Sequence, residues 1–180
     1  MNGGRDGAPV PDGAPVPIAE TETATDTLDP WRHAARVSRQ LGWWSLASVL
    51  VGAALLLTPE RAFGALAPVA FGFGLQCLLW GAIDGVIASI GGFDLRRRHA
   101  AGEPHDAAAT RAFGRRLRRL LRLNAGLDVL YVAVGLALLA LWRTPEGLGH
   151  GLGVVVQGGF LLVFDAWHGW RVPHHLAEAP

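Results

Sequence analysis

Charge and apolarity fall in long blocks along this chain. Gln40 to Pro59 carries no charge, and neither do Ala62 to Ile83, Val129 to Trp142 or Gly147 to Phe164. Apolar residues run continuously through each block instead of alternating, a pattern that argues against strands. A helix rises about 1.5 Å per residue, so about 20 such residues cross a hydrocarbon core about 30 Å thick. Four spans follow, at about 41–58, 66–92, 123–142 and 149–170. Buried helices of soluble domains are usually shorter and keep a polar stripe, which these blocks lack. The pattern predicts an all-α fold, a four-helix transmembrane bundle.

The polar blocks set the boundaries and the orientation. Residues 1–28 are rich in Gly, Pro, Ala, Thr and acids, too little apolar surface to order a tail. The membrane domain is expected over 29–175, with a short tail at 176–180. No cleavable leader is expected, because the first apolar run is long enough to stay as an anchor. Nine arginines fall in the loop 94–122, and Arg32, Arg36 and Arg39 precede the first span. The two short connections hold one each, Arg61 and Arg143. Cytoplasmic loops collect Lys and Arg, so both termini and the basic loop are expected in the cytoplasm.

The basic loop has a period of its own. Thr110 is a candidate cap, and Phe113, Leu117, Leu120 and Leu121 recur on one face. A surface helix running into the third span is expected, resting on anionic lipid. Arg96, Arg97, Arg98, Arg115, Arg116, Arg118, Arg119 and Arg122 are the predicted lipid contacts, each contributing about 1 kcal/mol. Similar runs occur in nucleic-acid patches, but the flanking spans argue for lipid and against nucleic acid. On the N-terminal side, Asp29 is a candidate N-cap with Pro30 as first helical residue. Trp43 and Trp44 are expected at the cytoplasmic interface.

Two stretches repeat. "QCLLWGAID" (76–84) and "QGGFLLVFD" (157–165) both set Gln eight residues before Asp. Upstream, "LLLTPERAFG" (55–64) answers "LWRTPEGLG" (141–149), where Thr is expected to cap and Pro to open the helix. Gly72 and Gly153 share the same offset from their Asp. The bundle is therefore expected to consist of two similar helical hairpins. Their first helices match poorly, with Ser45 falling where the second copy has Asp128.

The repeat leaves polar groups in apolar spans. Asp84, Asp128 and Asp165 lie about three turns or less from the cytoplasmic end of their helices, and Gln76 and Gln157 about 12 Å further out. Asn124 precedes Asp128 by one turn, Tyr131 follows it by one, and His168 follows Asp165 by one. These eight residues form the candidate intramembrane polar site. An Asp at mid-span costs roughly 2.5–3.5 kcal/mol, so three should face one another, a cation or water. One reading is interhelical glue, assisted by close approach at "GFG" (72–74) and Gly158–Gly159. The other is a functional pocket. His168 is expected to bond Asp165. Asp165, His168, His174 and His175 form a weak metal alternative, since their spacing is not specific.

Further chemistry is sparse. No nucleophile elbow, phosphate loop or metalloprotease helix occurs, and no cofactor or catalytic residue is assigned. The one cysteine, Cys77, permits no internal disulfide. Every basic residue among the Lys and Arg is Arg, which suits a GC-rich bacterial genome.

At "LNAGLDVLYVAVG" (123–135) and "GHGLGVVVQGGFLLVFDAWH" (149–168) the chain resembles an uncharacterised family of small bacterial four-helix integral membrane proteins. That resemblance implies the four-helix membrane fold over about 40–175 and brings no activity, substrate or cofactor. The expectation is a non-enzymatic multi-pass protein of the bacterial cytoplasmic membrane. Its polar layer would bind a small ligand, an ion or a partner subunit, with a homodimer among the arrangements, or hold the bundle together. The alternatives are a dimeric proton-coupled transporter of small solutes and an intramembrane lipid-modifying enzyme.

Overall fold

A computed structural model of the chain describes residues 29–103 and 106–172. Among the described residues there are four long helices and no strand: α1 (Pro30–Leu57), α2 (Ala67–Ala100), α3 (Ala107–Leu141) and α4 (Pro145–Arg171). Each is long and apolar enough to cross a membrane. The termini of the helices are chemically ordinary. Asp29 accepts from the Trp31 N–H with Pro30 as first helical residue, and Thr144 accepts from the Gly147 N–H ahead of Pro145.

Two expected caps differ. Asp106, not Thr110, caps α3 by accepting from the Ala109 N–H at 2.7 Å. Four residues earlier than Thr110, Asp106 sits where the free amides of the first turn point. Thr58 does not open a helix as Thr144 does. Its hydroxyl donates back to the Ala54 carbonyl at 2.7 Å and closes α1. Two short 3₁₀ turns follow, Glu60–Ala62 and Gly64–Leu66, and α2 starts only at Ala67. Gly64 takes φ +55°, a left-handed conformation that breaks the chain direction, and Pro68 then restarts the helix within its first turn.

α1 packs along α2, α3 along α4, and the two hairpins meet mainly through α2 and α4 and to a lesser extent through α1 and α3. Glycine placement explains why the contact of α2 with α4 is uneven. A Cβ at Gly72 would lie 2.7 Å from the Glu146 carbonyl oxygen, and one at Gly149 would strike the Val69 carbonyl. The α2 and α4 backbones therefore touch at the end away from the arginines. Beyond Gly153 no glycine continues this seam. Gly158 and Gly169 of α4 face α3, while Gly81, Gly85 and Gly91 of α2 face α1. Trp80, Phe160 and Phe164 pack around Leu41, Ala88 and Leu161 instead. Each hairpin is zipped along its length; towards the Arg-rich end α1 takes over the contact with the second hairpin, and α2 and α3 part.

The basic stretch is continuous with α3, which runs about 50 Å from its 35 residues. Phe113 does not face outward. It stacks on Trp31 at 3.8 Å between ring centroids, tying the start of α3 to the start of α1. Arg118 is only 5% exposed, so it turns into the bundle and leaves the expected lipid-facing set. Arg98 binds Asp94 at 2.7 Å and Glu103 at 3.0 Å, bracing the end of α2. Arg96, Arg97, Arg115, Arg116, Arg119 and Arg122 are exposed.

Candidate functional site

The parting of α2 from α3 leaves a cleft of about 680 Å³. α2 and α3 are barely in contact, and the cleft lies between them. Asp84 from α2, Asp128 from α3 and Asp165 from α4 meet at it. Each arrives from the inward stripe of its helix, and each is buried: 2%, 3% and 7% exposed. Asp165 is within side-chain hydrogen-bonding reach of both Asp128 and Asn124. Oδ2 of Asp84 and Oδ2 of Asp128 are buried without a hydrogen-bond partner among the described residues. Such a group costs several kcal/mol when desolvated and unmet, roughly 1–3 for a neutral polar group and more for a charged one.

The walls differ in character from the floor. Ile83 and Ile87 of α2 and Leu120 and Leu127 of α3 line the cleft and remain exposed to its outside. Tyr131 and Trp80 close one end, ring edge to ring face at 4.8 Å. Asp94, Arg98 and Arg116 stand at the other. The site is thus an apolar-walled slot with three carboxyl groups at its base.

The two glutamines are not in this slot. Gln157 is 2% exposed and belongs to a separate knot. Its Oε1 accepts from the Trp44 indole N–H at 3.0 Å, and its Nε2 donates to Ser48 Oγ at 3.3 Å and to Cys77 Sγ at 3.5 Å. Gln76 bonds the His150 ring at 3.0 Å. Trp44 therefore does not point outward as its neighbour Trp43 does. It turns inward and stacks on Phe160 at 3.6 Å. Ser45, at the position matching Asp128, donates to the Gly81 carbonyl at 2.7 Å and fastens α1 to α2.

His168 takes a different partner from the one expected. The His33 ring bonds the His168 main-chain carbonyl at 3.2 Å, and the two rings lie 5.1 Å apart. His168 Nδ1 is buried without a hydrogen bond among the described residues, and no bond to Asp165 forms. One turn on a helix is enough to share a stripe, but the His168 ring packs edge-on against Phe164 at 4.5 Å and beside His33. Among the described residues no group of three or more His, Cys, Asp and Glu is arranged to hold a metal ion. His174 and His175 lie outside the described residues.

Of the eight residues that the sequence groups into one site, the structure brings Asp84, Asn124, Asp128, Tyr131 and Asp165 to the cleft and sets Gln76, Gln157 and His168 apart from it. Sequence reasoning missed Trp80, His33, Trp44, Ser48 and His150. Trp80 had a readable signal, because it lies four residues before Asp84 on the same face. The partners on α1 and α4 had none, since they depend on how the hairpins are rotated.

Residues 40–166, most of the chain and all three aspartates, match the family of unknown function DUF6992, and the chain belongs to that family. No curated protein and no solved structure matches it.

Proposed function

We propose that this member of DUF6992 is a four-span membrane protein that acts without catalysis, its Asp84–Asp128–Asp165 layer serving as a binding pocket. The four long apolar helices support the membrane setting, and their outward faces carry large apolar side chains such as Leu50, Phe93 and Leu123. Arginine concentration at one end supports cytoplasmic termini and a cytoplasmic basic loop.

The observation that carries the pocket reading is the unpaired pair of carboxyl oxygens. Polar residues used only to hold helices together find partners on neighbouring helices, as Gln157, Gln76 and Ser45 do. Asp84 and Asp128 each leave Oδ2 unmet at the edge of a cleft. Three buried acids beside open space suit an occupant that supplies donors or positive charge. A small ligand, an ion or a side chain of a partner subunit is of the right size.

Two measurements test this. The full chain should stay in the membrane pellet after alkaline carbonate washing and leave it only with detergent. Replacing Asp84 and Asp165 by Asn should leave insertion and folding intact while removing whatever ligand-linked signal the wild type gives. Loss of folding in both variants would assign the acids to the glue.

A further inference from the structure

The occupant of this cleft can be narrowed by asking what the floor, the walls and the rim each admit. We propose that it is an amphiphilic organic amine, entering sideways from the apolar phase between α2 and α3, with its ammonium group against Asp84, Asp128 and Asp165. The inference rests on the pocket reading above and adds the class of ligand.

The floor asks for a cation with N–H donors. Three carboxyl groups converge there, two with an unmet oxygen, and the neutral neighbours are Asn124, Tyr131 and Trp80. An ammonium group offers up to three donors, and Asp84 and Asp128 present the two oxygens that lack one. The adjoining Trp80 indole is the ring type that best attracts an organic cation. A bare metal ion is a poorer fit, because the acids do not form a metal-holding group.

Walls and rim decide the route. At the Arg-rich end the cleft opens past Arg116 and the Arg98–Asp94 pair, a charged mouth that offers an apolar body no matching surface. Sideways, between Ile83 and Ile87 on one helix and Leu120 and Leu127 on the other, the opening is apolar. A molecule that takes this path needs an apolar body. It also needs to enter without net charge, which an amine can do as its free base. The proton then moves from a carboxyl oxygen to the amine nitrogen, leaving an ammonium–carboxylate pair and adding no charge to the bundle.

Two other occupants fit less well. A second copy of this chain, docking through the same face, would present Ile83, Ile87, Leu120 and Leu127, whose side chains carry no donor for the floor. A partner helix brings a backbone whose N–H groups are already bonded, so only a basic side chain on it could meet the two free carboxyl oxygens. The cleft falls in the range of small-molecule pockets, about 300–1,000 Å³.

The test uses the purified full chain in a neutral maltoside detergent, with native mass spectrometry and thermal unfolding as readouts. The probes are dodecylamine, dodecanol and dodecanoic acid. Dodecylamine should bind one per chain and raise the unfolding midpoint, with the alcohol and the acid at least tenfold weaker. D84N and D128N should each weaken dodecylamine at least tenfold while remaining folded. I87W, which narrows the sideways opening, should weaken it similarly, and R116Q should bind no more weakly than wild type. Equal binding of amine and alcohol overturns the inference, as does a wild type that takes up none of the probes. In both cases folded D84N and D128N leave the pocket itself standing for another ligand. If D84N and D128N both fail to fold, the pocket reading falls, and the wild-type preference for amine over alcohol decides the ligand class alone. A polypeptide found in stoichiometric cross-link to the Ile87→Cys variant in the membrane would also overturn it.

Discussion

The Trp44 indole N–H donates to Oε1 of Gln157 at 3.0 Å, joining α1 to α4 across a bundle in which those two helices belong to different hairpins. Ser48 and Cys77 complete the coordination of the same amide. This knot lies where the glycine seam between α2 and α4 is ending, so it holds together the part of the bundle from which the cleft begins to open.

Gln157 should therefore matter for stability. Q157L keeps the volume and removes every hydrogen bond, leaving the Trp44 N–H and Ser48 hydroxyl without their acceptor. Interhelical bonds in membrane bundles are worth about 0.6–1.7 kcal/mol each. The expected loss is about 1–2 kcal/mol, read from unfolding of the purified protein by intrinsic tryptophan fluorescence. W44F should cost a similar amount, and the double variant less than the sum of the two. Additive losses would show that the bond is not what couples the helices.

The aspartates should behave in the opposite way. Asp84 and Asp128 bury an oxygen that no described group meets. An Asn of the same shape removes an acid from a crowded layer without opening a cavity. D84N and D128N are expected to unfold within about 1 kcal/mol of wild type or above it, since replacing a poorly compensated buried charge is often neutral or stabilising. Losses matching those of Q157L in the same assay would mean that the acids are structural.

That contrast marks how far the sequence could be read. Gln76, Asp84, Gln157 and Asp165 stand out because apolar runs make any polar residue visible, and eight-residue spacing made the two pairs look like one device. In three dimensions Gln157 joins an internal knot, Gln76 bonds the His150 ring, and the two Asp residues join the open layer. Eight residues turn a helix by about 80°, which is enough to send the two ends of the pair to different neighbours. Depth along a helix was readable, so three acids at one level were expected and occur. Rotation was not, so the inward turn of Trp44 and Arg118 and the pairing of His33 with His168 were missed. Glycine shows the same limit: "GFG" at 72–74 signalled close approach, but Gly72 meets α4 and Gly74 meets α1.

The glycine seam itself makes a prediction. At Gly149 an added methyl would run into the Val69 carbonyl and lie 3.0 Å from the Phe73 amide, both main-chain atoms of α2 that cannot turn aside. G149A should force the hairpins apart at their tightest point, at a cost of about 1–3 kcal/mol for overpacking. G126A is the paired control, because nothing lies within 4 Å of that position. Ala is about 0.5–1 kcal/mol better than Gly within a helix, so G126A should match or exceed wild type. Monodisperse yield and unfolding midpoint in detergent would separate them. Equal behaviour of the two variants would mean that α2 and α4 do not meet at Gly149.

Orientation can be checked with the one cysteine already present. Cys77 is 3% exposed, between Gly74 and Gly81 on α2, and its thiol is in contact with Gln157. It should react slowly with a bulky maleimide, which gives a low background in whole cells. Glu60→Cys lies between α1 and α2, Arg143→Cys between α3 and α4, and Arg97→Cys on the exposed basic end of α2. With an impermeant maleimide, Glu60→Cys and Arg143→Cys should label in intact cells, whereas Arg97→Cys should label only after the membrane is opened. The arginines set this outcome, because the basic stretches before α1 and between α2 and α3 resist translocation while the two short connections carry one Arg each. Labelling of Arg97→Cys in intact cells, with the other two silent, would invert the topology and place the mouth of the cleft on the outer face.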